Sequence, residues 1–398
     1  MNDWKKYKLG EIGNFFGGVT SISKEDYGHG TPFLPYKNVY KNSKVNIKEL
    51  ELMNVKQQDL QKRSAKYGDI FFTASSETPD EVAMSSVLLD EVENLTFNGF
   101  CKRFRLNNFD TLLPEFARYL FRDNSFRNNV YQLATGDIRF NISQESLASI
   151  EIEIPNTETQ THIAQILTSF DDKIELLGQM NQTLETLAQA IFKEWFVNFN
   201  FPGFDGTLVE GLPKGWRKGK LGEVFDLVMG QSPKGETYNQ DGNGMVFYQG
   251  KTDFGFRFPT NRLFTTDPNR KANTLDTLVS VRAPVGDINM ANEPCCIGRG
   301  LSSVRHKTNA FSYTYYLMQS IENIFKGFES EGTVFGSINK SNFENIEILI
   351  PEPKLISEFE FTTNPIDYKI LENQHQIRTL TSLRDALLPK LMGGAVAV

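Results

Sequence analysis

The chain repeats itself, and that repeat limits what it can fold into more than any single motif does. Residues 135–155, TGDIRFNISQESLASIEIEIP, align without a gap on residues 331–351, EGTVFGSINKSNFENIEILIP. Gly136/Gly332, Ile142/Ile338, Ile150/Ile346, Glu151/Glu347, Ile152/Ile348, Ile154/Ile350 and Pro155/Pro351 coincide. Lys8-Leu9-Gly10-Glu11-Ile12 likewise matches Lys220-Leu221-Gly222-Glu223-Val224, at a wider interval. A shared frame around interiors of unequal length describes two halves of common origin that have diverged, and 398 residues leave each half room for its own core.

Each half opens with short β-branched and aromatic runs set between Gly, Pro and Asn: Thr31–Val39, Gly68–Ala74 and Asn94–Leu106, then Gly244–Lys251 and Leu275–Arg282. These read as strands, with short helices at Leu113–Arg122 and Ala310–Ser320. After each Ile-x-Ile-Pro strand the pattern changes. Between Thr159 and Trp195, Ile163, Phe170, Leu177, Leu184 and Ile191 return every seven residues, with Ile166, Met180 and Leu187 as a second row. That is a coiled-coil helix spanning ~55 Å at ~1.5 Å per residue. The interval between the halves is a whole number of heptads, so the phase passes to Phe359, Ile366, Asn373, Leu380 and Leu387. Leu383 falls on the second row there, and Ile370 and Ile377 broaden the stripe. Pro365 and Pro389 are expected to confine this second helix to about Ile366–Leu388. The Gly- and Pro-rich segment Phe201–Trp216 reads as a linker, and the aromatic cluster Phe192, Trp195, Phe196 and Phe199 before it as domain core rather than a docking face. The expected fold is α+β: two β-rich mixed domains joined by two long antiparallel coiled-coil helices, a pseudo-twofold internal repeat.

Charge narrows the function. The net charge of −7 argues against coating nucleic acid through bulk attraction. Its distribution is uneven: Phe97–Phe140 carries seven basic residues against four acidic ones, and Lys214–Lys307 carries fourteen against nine. No apolar run approaches the ~18 residues of a membrane helix. The lysine-broken N-terminus has no secretory core, and three cysteines form neither a disulfide framework nor a metal knuckle, so a cytoplasmic protein is expected. Enzyme motifs are missing: no G-x-x-x-x-G-K-[ST] loop, no Asn-Pro-Pro-Tyr or Asp-Pro-Pro-Tyr element, and four histidines without ligand spacing.

Trp4-x3-Lys8-Leu9-Gly10-Glu11 and Trp216-x3-Lys220-Leu221-Gly222-Glu223, Gly68-Asp69-Ile70 and Asp276-Thr277-Leu278, Ile150–Pro155 with Thr159–Ile166, and Ile346–Pro351 before the last helix together carry a resemblance. The chain resembles, over nearly its whole length, the specificity (S) subunit of type I restriction–modification enzymes. The resemblance implies target-recognition domains at 1–156 and 201–352, a central conserved helix at 157–200 and a distal one at 353–398. Each domain would read one part of a split, asymmetric site on double-stranded DNA, with the helices as spacer. It also implies a non-catalytic subunit without cofactor or metal of its own. Two modification subunits would dock on the helices and methylate adenine with S-adenosylmethionine, and restriction subunits would add ATP-driven translocation and cleavage. The reading from another class is a coiled-coil scaffold whose heads bind proteins, which the acidic total favours.

Candidate DNA contacts are residue types that suit phosphates and base edges, at equivalent places in the two halves. The first loop offers Ser21 and Lys24, with Ser232 and Lys234; the second offers Tyr36, Lys37 and Asn38, with Tyr248, Lys251 and Thr252. The third offers Ser75, Ser76 and Thr78, with Arg282; the fourth offers Lys102 and Arg103, with Arg299. The fifth offers Arg139 and Asn141, with Phe335, Ser337 and Asn339. Most of the 32 phenylalanines are expected in cores.

Overall fold

A computed structural model describes residues 4–20, 23–78, 81–136, 139–330 and 336–396. The chain forms two compact units: residues 1–175 with 377–398 make unit 1, and residues 176–376 make unit 2.

In unit 1 the strand Lys5–Lys8 pairs antiparallel with Glu151–Ile154, Lys5 opposite Ile154 and Lys8 opposite Glu151. The chain then turns, and the turn explains the Lys-Leu-Gly-Glu signature: the Glu11 carboxylate accepts the Lys8 backbone N–H at 3.0 Å, and Leu9 N–H bonds the Ile150 carbonyl at 3.0 Å. Next comes a four-stranded antiparallel sheet, Gly13–Gly17, Cys101–Leu106, Ile70–Thr73 and Ser85–Val87 in that spatial order. Asp69, before the third of these in space, accepts the Lys66 N–H at 2.8 Å and pairs with Arg105 at 2.6 Å. Phe72, Phe104, Phe121 and Phe126 fill the core beneath it with edge and tilted ring contacts.

Unit 2 repeats the plan with different side chains. Arg217–Lys220 pairs with Glu347–Ile350; Glu223 accepts the Lys220 N–H at 2.7 Å, and Leu221 N–H bonds the Ile346 carbonyl at 2.9 Å. The sheet order is Phe225–Met229, Leu301–His306, Thr277–Ser280 and Ile288–Met290. Asp276 accepts the Asn273 N–H at 2.8 Å and pairs with Arg305 at 2.6 Å. The Gly-Asp-Ile and Asp-Thr-Leu matches are thus one structural device used twice, a carboxylate that ties a turn to the neighbouring strand.

The two long helices are Thr157–Phe192 and Pro353–Met392. Within each unit they run antiparallel. In unit 1, Ile163 and Leu167 share a core with Leu391 and Met392, and Asp171 pairs with Arg384 at 2.7 Å. In unit 2, Asn373 donates to Asn181 at 2.9 Å, and Phe192 meets Phe359 at 5.7 Å. Two expectations are corrected here. The second helix runs straight through Pro365 and Pro389, beginning at Pro353 rather than Ile366. Each proline removes one backbone bond, and both lie on the exposed side, where water can satisfy the freed carbonyl.

The second seam row is also displaced. It lies four residues after the first, at Leu167, Ile174, Asn181 and Ala188, and at Thr363, Ile370, Ile377, Arg384 and Leu391. Met180, Leu187 and Leu383 point outward, at 38%, 50% and 52% exposure. The first row keeps its place: Ile163 and Leu177 are buried, while Phe170, Leu184, Ile191, Ile366, Leu380 and Leu387 are half-buried. Truncating Leu177 to Ala should therefore cost ~2–5 kcal/mol, whereas Leu187→Ala should stay within ~0.5 kcal/mol, as read by chemical denaturation.

Each unit anchors both helices to its sheet domain through charge. In unit 1, Asp171 receives Arg118 at 2.6 Å, Arg384 at 2.7 Å and the Tyr119 hydroxyl at 2.7 Å. In unit 2, buried Arg257 pairs with Glu185 of the first helix and with Asp367 of the second at 2.6 Å, and donates to the Tyr316 hydroxyl at 2.8 Å. The aromatic cluster after the first helix is core, as expected: Phe196 lies 5.0 Å from Tyr313 and 5.1 Å from Phe359.

Candidate nucleic-acid interface

The five candidate loops of each half fold together, joined by the same backbone hydrogen bonds in both. In unit 1, Val19 N–H bonds the Phe97 carbonyl at 2.8 Å and Asn98 N–H bonds the Leu34 carbonyl at 3.1 Å, so the first and second loops flank the fourth. Ala74 N–H bonds the Phe100 carbonyl at 2.8 Å and Ile142 N–H bonds the Ala74 carbonyl at 3.1 Å, which places the third loop between the fourth and the fifth. Unit 2 makes the same four links: Gln231 to Ile297 at 3.0 Å, Gly298 to Tyr248 at 2.8 Å, Val281 to Gly300 at 2.9 Å, and Ile338 to Val281 at 3.1 Å. The close approach of first and fourth loops demands glycine. A Cβ on Gly18 would collide with the Asn98 carbonyl, and one on Gly230 with the Gly298 carbonyl.

Side chains gather on this platform. In unit 1, Tyr36, Ser75, Ser76 and Arg139 line one groove of about 420 Å³ with Tyr40, Glu77, Glu81 and Phe100. The Tyr36 hydroxyl donates to the Ser75 carbonyl at 2.7 Å. Tyr40 and Ser76 donate to the two oxygens of Glu81 at 2.7 and 2.8 Å, which holds that carboxyl below its ordinary range and keeps it charged. Burial pushes the Tyr36 phenol up, so it remains a donor. Lys24, Lys37, Thr78 and Asn141 are exposed, and Lys102 is half-buried. In unit 2, the backbone of Arg282 pairs with that of Ser337 and ties the third loop to the fifth, Lys251 pairs with Asp287 at 2.8 Å, and Ser232 accepts the Arg299 N–H at 3.4 Å. Lys234, Thr252 and Asn339 are exposed, and Asn339 also caps the helix Lys340–Glu344 through the Asn342 N–H at 2.8 Å. Arginine offers guanine a bidentate donor pair, a carboxylate accepts from the cytosine amino group, and apolar rims meet the thymine methyl.

Three expected contacts are core residues instead. Arg103 is 2% exposed; its guanidinium donates to the Ser64 carbonyl and lies 4.6 Å over the Phe16 ring, and burial brings its pKa down to about 10. It faces the inner side of its strand, whose lettering Cys-Lys-Arg-Phe-Arg does not reveal the face. Asn38 lies on the helix Tyr36–Lys41, not on a strand, and its side chain closes the following loop against Asn46 N and O at 3.1 and 2.9 Å. Tyr248 is buried at the place Leu34 holds in unit 1, its hydroxyl donating to Asn261 at 2.7 Å. Its match to Tyr36 was a coincidence of lettering. Ser21 and Phe335 lie outside the described residues. Tyr40, Phe100 and Glu81 were missed: Tyr40 follows Tyr36 by one helical turn, a signal hidden while the segment was read as a strand. Arg103→Ala should lower stability by ~1–3 kcal/mol through lost packing and leave the DNA sequence selected unchanged, checked by denaturation beside binding-site selection.

Among the described residues, no group of three or more His, Cys, Asp or Glu could hold a metal ion, and no helix is long and apolar enough to cross a membrane. The family model for the type I restriction modification DNA specificity domain matches residues 1–186 and 213–381. The chain is 31% identical over 365 residues to the putative type I restriction enzyme MjaX specificity subunit of Methanocaldococcus jannaschii, covering 88% of this chain and 83% of that one. It is 26% identical to the type I restriction enzyme HindI specificity subunit of Haemophilus influenzae, with both chains covered in full. The crystal structure of a type I restriction–modification system S subunit from M. genitalium shares the fold, with a TM-score of 0.65 at 18% identity over 98% of this chain and 96% of that one.

Proposed function

This chain belongs to the type I restriction–modification specificity-subunit family, and from that premise we propose that its two target-recognition domains, residues 1–156 and 201–352, each read one half of a bipartite, asymmetric DNA site. One observation carries the reading: two loop platforms with identical backbone linkage present different polar side chains. Shared linkage places loops alike on a duplex, and divergent side chains then read different base edges. The helical regions, 157–200 and 353–398, serve as the spacer that fixes the gap between half-sites.

A specificity subunit is a non-catalytic component. We place adenine methylation, with S-adenosylmethionine, on two modification subunits, and ATP-driven translocation and cleavage on restriction subunits, all in the cytoplasm. The outward row Leu176, Met180 and Leu187 supports helix docking of a modification subunit, because three large apolar side chains on one helix face are left 38–50% exposed. Binding to duplex DNA, measured on the complex with modification subunits at increasing salt, separates this reading from a protein-binding scaffold. With roughly 6–10 phosphate contacts, affinity should fall ~10³–10⁵-fold between ~50 and ~200 mM salt. A shallow dependence would favour the scaffold.

A further inference from the structure

The sheet domain of each half opens on a tryptophan, and the two meet different surroundings. In unit 2, Trp216 is 9% exposed and covered by the segment that leaves the first long helix. Phe199 meets its ring edge-on at 5.2 Å, Phe201 stacks on it at 6.0 Å, and Phe196 lies 6.0 Å away. Phe199 follows the π turn Lys193–Val197 and stands in the left-handed region, with φ of 59°. In unit 1 the second long helix ends at Met392, and Gly394 adopts the matching left-handed conformation with φ of 65°. A Cβ on Gly394 would stand 2.9 Å from Trp4 Nε1. Gly394 therefore holds at Trp4 the place that Phe199 holds at Trp216, without the ring, and Val396 follows Gly394 by two residues as Phe201 follows Phe199.

No aromatic ring among the described residues lies against Trp4. What remains is a groove of about 1290 Å³ whose lining includes Trp4, Lys6, Asp123, Phe126, Glu153 and Met392. The strand beside it differs in the same sense. Leu349, opposite Lys218 in unit 2, packs on the core; its counterpart Glu153, opposite Lys6, is exposed in the groove. Lys6 is already paired with Glu151 at 3.4 Å, which leaves the exposed Glu153 as the acidic group of the rim.

We propose that the Trp4 groove docks a segment of a partner protein that presents an aromatic ring beside lysine or arginine, supplied in the assembled enzyme by a modification subunit. The inference rests on the specificity-subunit reading above. The chain's own linker is the template: on the equivalent tryptophan it shows which shape and chemistry cover this surface. Aromatic rings in such pockets are common anchors of protein interfaces, and the exposed Glu153 carboxylate favours a basic flank over an acidic one, whereas Asp123 is buried and spends its carboxylate capping the helix Asn124–Leu133 through the Ser125 N–H at 2.9 Å.

The test plugs the groove from within. Glu153→Leu/Val396→Phe imports the residues that unit 2 uses. Full-length chain and modification subunit are titrated calorimetrically, wild type first. Absence of a wild-type complex would overturn the specificity-subunit reading and this proposal with it. Given a wild-type complex, the plugged variant should bind about tenfold or more weakly while unfolding at the same or a higher temperature, and Trp4→Ala should weaken binding too. A photo-cross-linking p-benzoylphenylalanine at position 4 should capture a modification-subunit segment that contains an aromatic residue beside Lys or Arg. Wild-type affinity in both variants, or cross-links only to a second copy of this chain, would overturn the proposal while leaving the specificity-subunit reading intact.

Discussion

Replacing Arg257 by alanine should destabilise unit 2 by ~3–5 kcal/mol, the largest single-residue effect expected in the molecule. The guanidinium is 1% exposed, lies 3.7 Å over the Tyr315 ring, and is shared by carboxylates from both long helices. Burial works against its charge, but Asp367, the two tyrosines and Glu185 more than offset this, and Arg257 is held well above its ordinary pKa. Alanine would leave Glu185 and Asp367 buried without a cation. Their desolvation then stands uncompensated, which is why breaking such a cluster costs more than the intact cluster contributes. At ~2–4 °C per kcal/mol for a unit of this size, the melting transition should fall by roughly 10 °C. Joint replacement with Arg257→Met, Glu185→Leu and Asp367→Leu should recover most of the loss, because apolar side chains carry no charge to desolvate. A fall below ~1 kcal/mol for Arg257→Ala would show that this cluster does not hold the helices to the domain.

The second large effect concerns readout. Arg139 is exposed in the unit 1 groove beside Tyr36 and Ser76, on the fifth loop. Arg139→Ala should relax the requirement at one or two positions in a single half-site, by ~1–3 kcal/mol of discrimination at each base lost, and leave the other half-site as strict as before. Selection of bound sequences from a randomised library, with wild type and variant side by side, reads this directly. Equal loss in both halves would mean that the substitution damages folding or phosphate binding rather than base recognition.

The repeat was legible in the sequence because it is written in backbone-determining residues. Lys-Leu-Gly-Glu encodes a turn closed by a carboxylate, and Ile-x-Ile-Pro encodes a strand leading into a helix. Both recur as the same hydrogen bonds in the two units. The helix seam was legible in period but not in phase. Asn181, Thr363 and Arg384 are polar residues that face inward, where Asn373 and Asp171 supply partners, while Met180, Leu187 and Leu383 are apolar residues that face outward. Reading hydrophobicity alone moved the second row by one residue. The site was legible as loops but less so as side chains. Loop position follows from the repeat, whereas the inward turn of Arg103, the loop-closing role of Asn38 and the burial of Tyr248 depend on neighbours far away in sequence.

The central claim is that two unlike readers are spaced by this chain's own helices, and gap selection tests it most directly. The complete chain with its modification subunits is offered DNA in which two selected half-sites are separated by gaps varied one base pair at a time. The account predicts recovery of two different half-motifs at one gap, with binding lost when the gap grows or shrinks by a single pair, since one step rotates and shifts the second half-site away from its reader. Recovery of a single continuous motif, or equal binding across several gaps, would contradict it.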